Sequence, residues 1–155
     1  MNEQHRHLKR LHHVWSRQPV YFVTICVDER RPLLACETAH VILKQEWQQS
    51  LVRHQWAVGR YVVMPDHVHF FITPALESSW SLSMVVGKWK EWTAKRLLRA
   101  LGGSAPLWQP EFFDHLLRSD ETRQEKWAYV RENPVRAGLV TAAIDWPYAG
   151  SIDFG

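Results

Sequence analysis

Cysteine is scarce in this chain. Cys26 and Cys36 are the only two, and they do not form a CxxC pair. That excludes a disulfide framework and leaves two small core residues suited to a reducing compartment. Long apolar runs are missing too. No stretch approaches the roughly eighteen uninterrupted apolar residues of a membrane span. The polar, His- and Arg-rich N-terminus lacks the apolar segment of a secretory signal, so the expected location is the cytoplasm. There is no internal repeat, low-complexity tract or second-domain linker, and 155 residues suffice for one domain with its own core. Charge of one sign is barely in excess: the net charge is +3, which permits a polyanionic partner without demanding one. Aromatics, by contrast, are plentiful, with nine Trp, six Phe and four Tyr. Some must be core, and any left over suit single-stranded nucleic acid, where bases stack on rings.

The order of elements follows from periodicity. Residues 1–18 carry four of the nine histidines and little periodic apolar content, and read as a basic N-terminal arm. Val20-Tyr-Phe-Val-Thr-Ile-Cys-Val27 is β-branched and aromatic, a first strand. Ala39, Ile42, Leu43, Trp47 and Leu51 recur at helical spacing, predicting a helix over 37–53. Strands follow at 55–64 and 67–73, joined by the tight Met64-Pro65-Asp66 connection, and then a helix over 82–100 closed by Gly102-Gly103. Residues 112–118 read as a fourth strand. Ser119 and Asp120 cap a third helix that must end near Asn133, because Pro134 disfavours helical geometry in the residue before it. The rest reads as loop. The order β-α-β-β-α-β-α predicts an α+β, ferredoxin-like (RRM-like) antiparallel sheet with helices on one face and an added C-terminal helix.

Within that frame the chemistry concentrates in two places. His67-Val-His69 lies in an apolar strand context, and alternation along a strand puts both imidazoles on one face with Val68 on the other. Such a pair can share a divalent cation, or be two half-buried histidines bonded to their surroundings. Spacing alone is weak, since His5-Arg-His7 repeats it in the polar arm. The second place is Tyr129, with Asn133 four residues on and on the same helix face. They could be a nucleophile and an oxygen ligand, or packing and a helix cap. Glu132 is the alternative oxygen ligand.

Taken together, Tyr61-Val-Val-Met-Pro-Asp-His-Val-His69, Leu107-Trp-Gln-Pro-Glu-Phe-Phe-Asp-His-Leu-Leu-Arg118 and Tyr129-Val-Arg-Glu-Asn-Pro-Val-Arg-Ala-Gly138, with Trp146-Pro147 after them, resemble the REP-associated tyrosine transposases. These belong to the single-tyrosine HUH transposase superfamily. The resemblance spans about residues 19–150, leaving a tail at 151–155. It implies a metal-dependent strand transferase acting on single-stranded or hairpin DNA of the repetitive-palindrome type. His67, His69 and Asn133 would bind Mg²⁺ or Mn²⁺, and Tyr129 would attack a backbone phosphate to give a 5′-phosphotyrosine link. In that family the residue before the first histidine is often Asn. Here it is Asp66, read as a turn residue rather than a partner of His67.

The expected DNA contacts are Lys88, Lys90, Lys95 and Arg96 on the second long helix, and Arg118, Arg131 and Arg136 around the tyrosine. A solvated charged face accounts equally for the helical run. His115 is open to either a core or a site reading. The chain is expected to work as a monomer or a homodimer. Two rivals remain at this level. A non-catalytic RRM-like single-strand binder would need no metal. A zinc hydrolase would need a further protein ligand and leave no DNA–protein link.

Overall fold

The computed structural model describes residues 19–155; the basic arm expected at 1–18 lies outside them. Five strands form one antiparallel sheet in the order β4-β1-β3-β2-β5. They are β1 (Val20–Cys26), β2 (Trp56–Val63), β3 (His67–Pro74), β4 (Phe113–Leu117) and β5 (Ala149–Ser151). Two long helices, α1 (Glu37–His54) and α2 (Leu82–Leu101), connect β1 to β2 and β3 to β4. The first four strands and two helices are the predicted βαββαβ arrangement.

Alternation assigns the two faces. Val23 and Ile25 of β1 and Val68, Phe70 and Ile72 of β3 join the core formed with α1 and α2. Trp47 and Trp89 stack between those helices at 5.0 Å, and Trp108 packs against Trp89. Much of the aromatic surplus is therefore spent on this core: Trp47, Trp56, Trp89 and Trp108 are all buried. The opposite face carries Phe22, Phe71, His67 and His69. It is covered in part by α3 (Asp120–Val130), whose Val130 is buried with Phe22, Val62, Met64 and Phe71. Ser119 caps α3 by accepting from Thr122 N–H (3.1 Å).

A one-residue bulge in β2 makes this two-faced arrangement possible. The register on β3 advances by two residues, Ile72 to Phe70, while β2 advances by three, Val58 to Tyr61. The extra residue turns Tyr61 and Val63 inward, in line with Trp56 and Val58. Tyr61 is then fully buried and bonded to His40 Nε2 at 2.7 Å.

Two expectations at the C-terminal end are corrected. Helix α3 stops at Val130 rather than near Asn133, and a separate short helix, α4 (Asn133–Arg136), follows. Pro134 has no N–H to continue the ladder but is tolerated in the first turn of a new helix. The remainder is also not all loop. Residues Ala149–Ser151 add strand β5 to the outer edge of β2, pairing Tyr61 with Gly150 and Val62 with Ala149. Trp146 Nε1 donates to Val63 O at 3.0 Å and anchors the approach.

The fit at Gly150 is tight. A Cβ there would lie 2.9 Å from the Tyr61 hydroxyl oxygen, and the buried Tyr61 ring has nowhere to go. Gly150→Ala is expected to cost about 1–3 kcal/mol through loss of β5 docking, measured by chemical denaturation against the wild type.

Candidate functional site

Strand β3 delivers both histidines to the sheet face that α3 partly covers, and neighbouring residues fix how each ring points. Asp66 Oδ1 accepts from His67 Nδ1 at 2.7 Å, and Asp66 Oδ2 accepts from Arg30 Nε at 2.9 Å. On the neighbouring strand, Thr24 is paired with His69, and its Oγ1 lies 2.8 Å from His69 Nδ1. The Phe22 ring stacks on the His69 ring at 5.2 Å. With both Nδ1 atoms engaged, the two Nε2 atoms face one another 3.1 Å apart.

That distance has a chemical meaning. Two nitrogens bound at right angles to a cation of octahedral preference, with bonds of about 2.1 Å, sit about 3 Å apart. Asp66 holds the His67 proton on Nδ1, so its Nε2 presents a lone pair. The Thr24 hydroxyl oxygen can accept a hydrogen bond from His69 Nδ1–H and leave the lone pair on its Nε2 free in the same way. Asp66 is thus the outer partner of His67, not merely a turn residue as expected from the sequence.

The titration behaviour suits the same role. Burial lowers the His69 pKa to about 3, helped by His67, Lys126, Arg30 and Arg136 nearby. Burial also lowers His67, against the opposing pull of Asp66. Burial by itself would raise Asp66, but hydrogen bonds from Arg30 and His67 outweigh it and hold the carboxyl below its usual range. Both rings are therefore neutral at neutral pH, as ligands must be.

The sign of the linkage gives a prediction. His69 has its pKa lowered on folding, so the unfolded chain binds its proton first. Stability falls as pH drops below 6.5, and continues to fall until the folded-state value near 3 is reached. The loss is on the order of a few kcal/mol. His69→Gln should flatten the slope of denaturation midpoint against pH between those limits.

The tyrosine helix is laid over this face. Trp127 packs edge-on against Phe71 and receives Arg60 over its ring at 5.3 Å. Lys126 holds its ammonium 4.8 Å from the centre of the Phe22 ring, on the ring that supports His69. Tyr129 is 64% exposed, with the Arg136 guanidinium 3.9 Å from its ring centre. Tyr129 and Lys126 share one side of α3 and line an open groove with His115, Leu117, Thr122 and Glu125. His115 is exposed on β4, which settles its ambiguity in favour of the surface.

The two candidate oxygen ligands, Asn133 and Glu132, lie beyond the end of the tyrosine helix at Val130. Asn133 does not continue the tyrosine's helix. Its Oδ1 accepts from Arg136 Nη2, so Arg136 clips the carboxamide and the phenol ring at once. Glu132 sits in the turn between α3 and α4. Among the described residues no group of three His, Cys, Asp or Glu is already gathered as a metal site.

The predicted DNA contacts divide by location. Lys88, Lys90, Lys95 and Arg96 belong to α2, in the layer on the other side of the sheet from the histidines. Lys90 is tied to Gln109 O and Pro110 O, Arg96 to Glu46 and Gln45, and Lys88 and Lys95 both to Glu91. Arg118 and Arg131 are exposed at the end of β4 and beyond α3. Arg136 alone of the set is placed against the tyrosine. Sequence reading missed Thr24, Arg30 and Lys126. The signals were available for two of them: Thr24 lies on the outward face of β1, and Lys126 lies one turn before Tyr129.

Comparison with known proteins places this arrangement. The family described as "Transposase IS200 like" matches residues 14–133. The chain belongs to the IS200-like transposase family. Its curated relatives include the REP-associated tyrosine transposase of Escherichia coli strain K12, 27% identical over 83% of this chain and 74% of that protein. A solved structure of a REP-associated tyrosine transposase bound to a REP hairpin superposes with a TM-score of 0.65 at 25% identity, covering 84% of this chain and 74% of the other. A crystal structure from Deinococcus radiodurans, at 20% identity and a TM-score of 0.56, covers 74% of this chain and 90% of its own and shares the fold. The resemblance read from the three motif blocks is thereby borne out. The transposase is an enzyme that acts on DNA, built on an α+β sheet whose histidine pair and tyrosine helix occupy one face. No helix among its described residues is long and apolar enough to cross a membrane.

Proposed function

We propose that this transposase cuts and rejoins single-stranded or hairpin DNA of the repetitive-palindrome type by divalent-metal-dependent transesterification at Tyr129. The observation that carries the reading is the pair of neutral imidazoles with Nε2 atoms 3.1 Å apart, on the sheet face crossed by the tyrosine helix. His67 and His69 would hold Mg²⁺ or Mn²⁺, with the Asn133 carboxamide as the third protein ligand once Arg136 releases it. Bound there, the cation supplies Lewis-acid polarisation of the scissile phosphate.

The chain's own residues do the rest. Asp66 and Arg30 orient His67, and Thr24 and Phe22 orient His69. Lys126 and Arg136 bring positive charge to the place where negative charge develops on the phosphate. The Tyr129 oxygen forms a bond to phosphorus, the phenolic proton leaves to solvent, and the bond from phosphorus to the 3′ oxygen breaks. The products are a 5′-phosphotyrosine link and a free 3′-OH. Attack by another 3′-OH reverses the step and needs no nucleotide cofactor, because the phosphoester is conserved. The REP hairpin seen on the structural relative supports a palindromic substrate.

Incubation with a panel of palindromic single strands in Mg²⁺ or Mn²⁺, followed by denaturing electrophoresis, tests the reading. A covalent DNA–protein band that chelation prevents is expected. Binding without an adduct in any metal, across hairpins from the genomic neighbourhood, would favour a non-catalytic binding module.

Asp66 gives a second check. Asp66→Ala frees the His67 ring and should weaken Mn²⁺ binding by about 10–100-fold, measured by calorimetry. Asp66→Asn keeps a carbonyl oxygen facing Nδ1 and should retain most of the affinity.

A further inference from the structure

We propose that Phe113 is a stacking platform for a DNA base next to the scissile phosphate, a subsite that rests on the transesterification reading above. Phe113 is 61% exposed on the edge strand β4. An isolated exposed aromatic is ordinary; its row decides the matter. Register pairs Thr24 with His69 on one side and with Phe113 on the other. Residues paired across antiparallel strands share a face, and Thr24 contacts His69 directly. Phe113 therefore stands on the histidine face, two strand spacings or about 10 Å from His69.

Its neighbours suit a single strand. His115, two residues along β4 on the same face, lines the groove that also holds Lys126 and Tyr129. A base lying flat on Phe113 would have its phosphate directed toward Lys126 and the histidine pair. Glu125 also borders the groove, so Lys126 is its one cation beside an acid, while Lys126, Arg30 and Arg136 all lie close enough to act on His69. An exposed ring on a strand edge beside a groove that holds a cation fits one nucleotide at a time, and a ring face accepts any base.

The test uses the full chain and a short oligothymidine strand carrying 5-iododeoxyuridine at successive positions. Photocrosslinking followed by peptide mapping is expected to place the link on Phe113. Phe113→Ala should bind oligothymidine about tenfold more weakly, and Phe113→Trp within about twofold of wild type, with melting temperatures unchanged because the ring is exposed. Equal binding by wild type and Phe113→Ala overturns the proposal. So does failure of the wild type to bind, or crosslinks confined to Trp92 on the helical side of the sheet. The hairpin adduct separates the two levels: an adduct with unchanged Phe113→Ala affinity sinks only the platform. Weakened Phe113→Ala binding without any adduct keeps the platform and sinks the chemistry.

Discussion

Tyr129→Phe is expected to abolish covalent capture of hairpin DNA while leaving its affinity within about twofold of wild type. The expectation rests on how little else the hydroxyl does. The side chain is 64% exposed at the last turn of α3, and its ring, not its oxygen, receives Arg136. Phenylalanine keeps the ring, the guanidinium contact and the helix, and removes only the hydroxyl proposed as nucleophile. Stability should be unchanged, since the helix is held by Val130 and Trp127 rather than by Tyr129. The measurement is denaturing electrophoresis for the adduct beside an equilibrium binding curve on the same oligonucleotide. An adduct in the variant would mean that another residue attacks.

His67→Ala carries the second large effect. The substitution removes one of the two facing Nε2 atoms and leaves the Asp66–Arg30 pair without its imidazole. Cleavage should fall by a hundredfold or more, on the order of what loss of a metal ligand or a transition-state contact costs. Mn²⁺ binding by calorimetry should be lost in parallel. The fold should survive, because His67 lies at the start of β3, away from the core of Val68, Phe70 and Ile72. Hairpin binding without metal should persist. His69→Ala is the less clean probe, because that ring is stacked on Phe22 and bonded to Thr24, so packing is lost together with the proposed ligand.

How far the chain could be read in advance depends on what kind of force sets each feature. The βαββαβ order was legible because it rests on burial. Val23, Ile25, Val68, Phe70 and Ile72 alternate along strands, and Leu43, Trp47, Val85 and Trp89 recur at helical spacing. The histidine pair was legible as a pair for the same reason. Its orientation was not, since Thr24 and Arg30 reach it from β1 and the turn after it, more than thirty residues earlier in the chain. Arg30 and Glu29 both hold positive φ, at 53° and 58°, in that turn. Left-handed backbone at two successive non-glycine residues is a local cost that no propensity forecasts, and it is found beside the Asp66–His67 contact.

Other misses have similar roots. Strand β5 has neither β-branched nor aromatic residues in Ala149-Gly-Ser151, so propensity gives no sign of it. It forms because the edge of β2 offers unpaired backbone, Trp146 anchors the approach, and glycine alone clears Tyr61. The α3–α4 break follows from Pro134, which was visible, but its position three residues earlier than expected was set by where Val130 is buried. On α2 the charge of the basic run was legible while its partners within the chain were not. Glu46 and Glu91 already engage Arg96, Lys88 and Lys95, and the sheet lies between that helix and the histidines.

The central claim is that a histidine-held cation prepares one phosphate for attack by one tyrosine. Peptide mapping of the covalent adduct by mass spectrometry, from parallel reactions with Mg²⁺ and with chelator, tests it most directly. The account predicts a nucleotide-bearing peptide modified at Tyr129 in Mg²⁺ and none in chelator. Modification at any other residue, an adduct equally abundant without metal, or cut DNA with no linked peptide would contradict it.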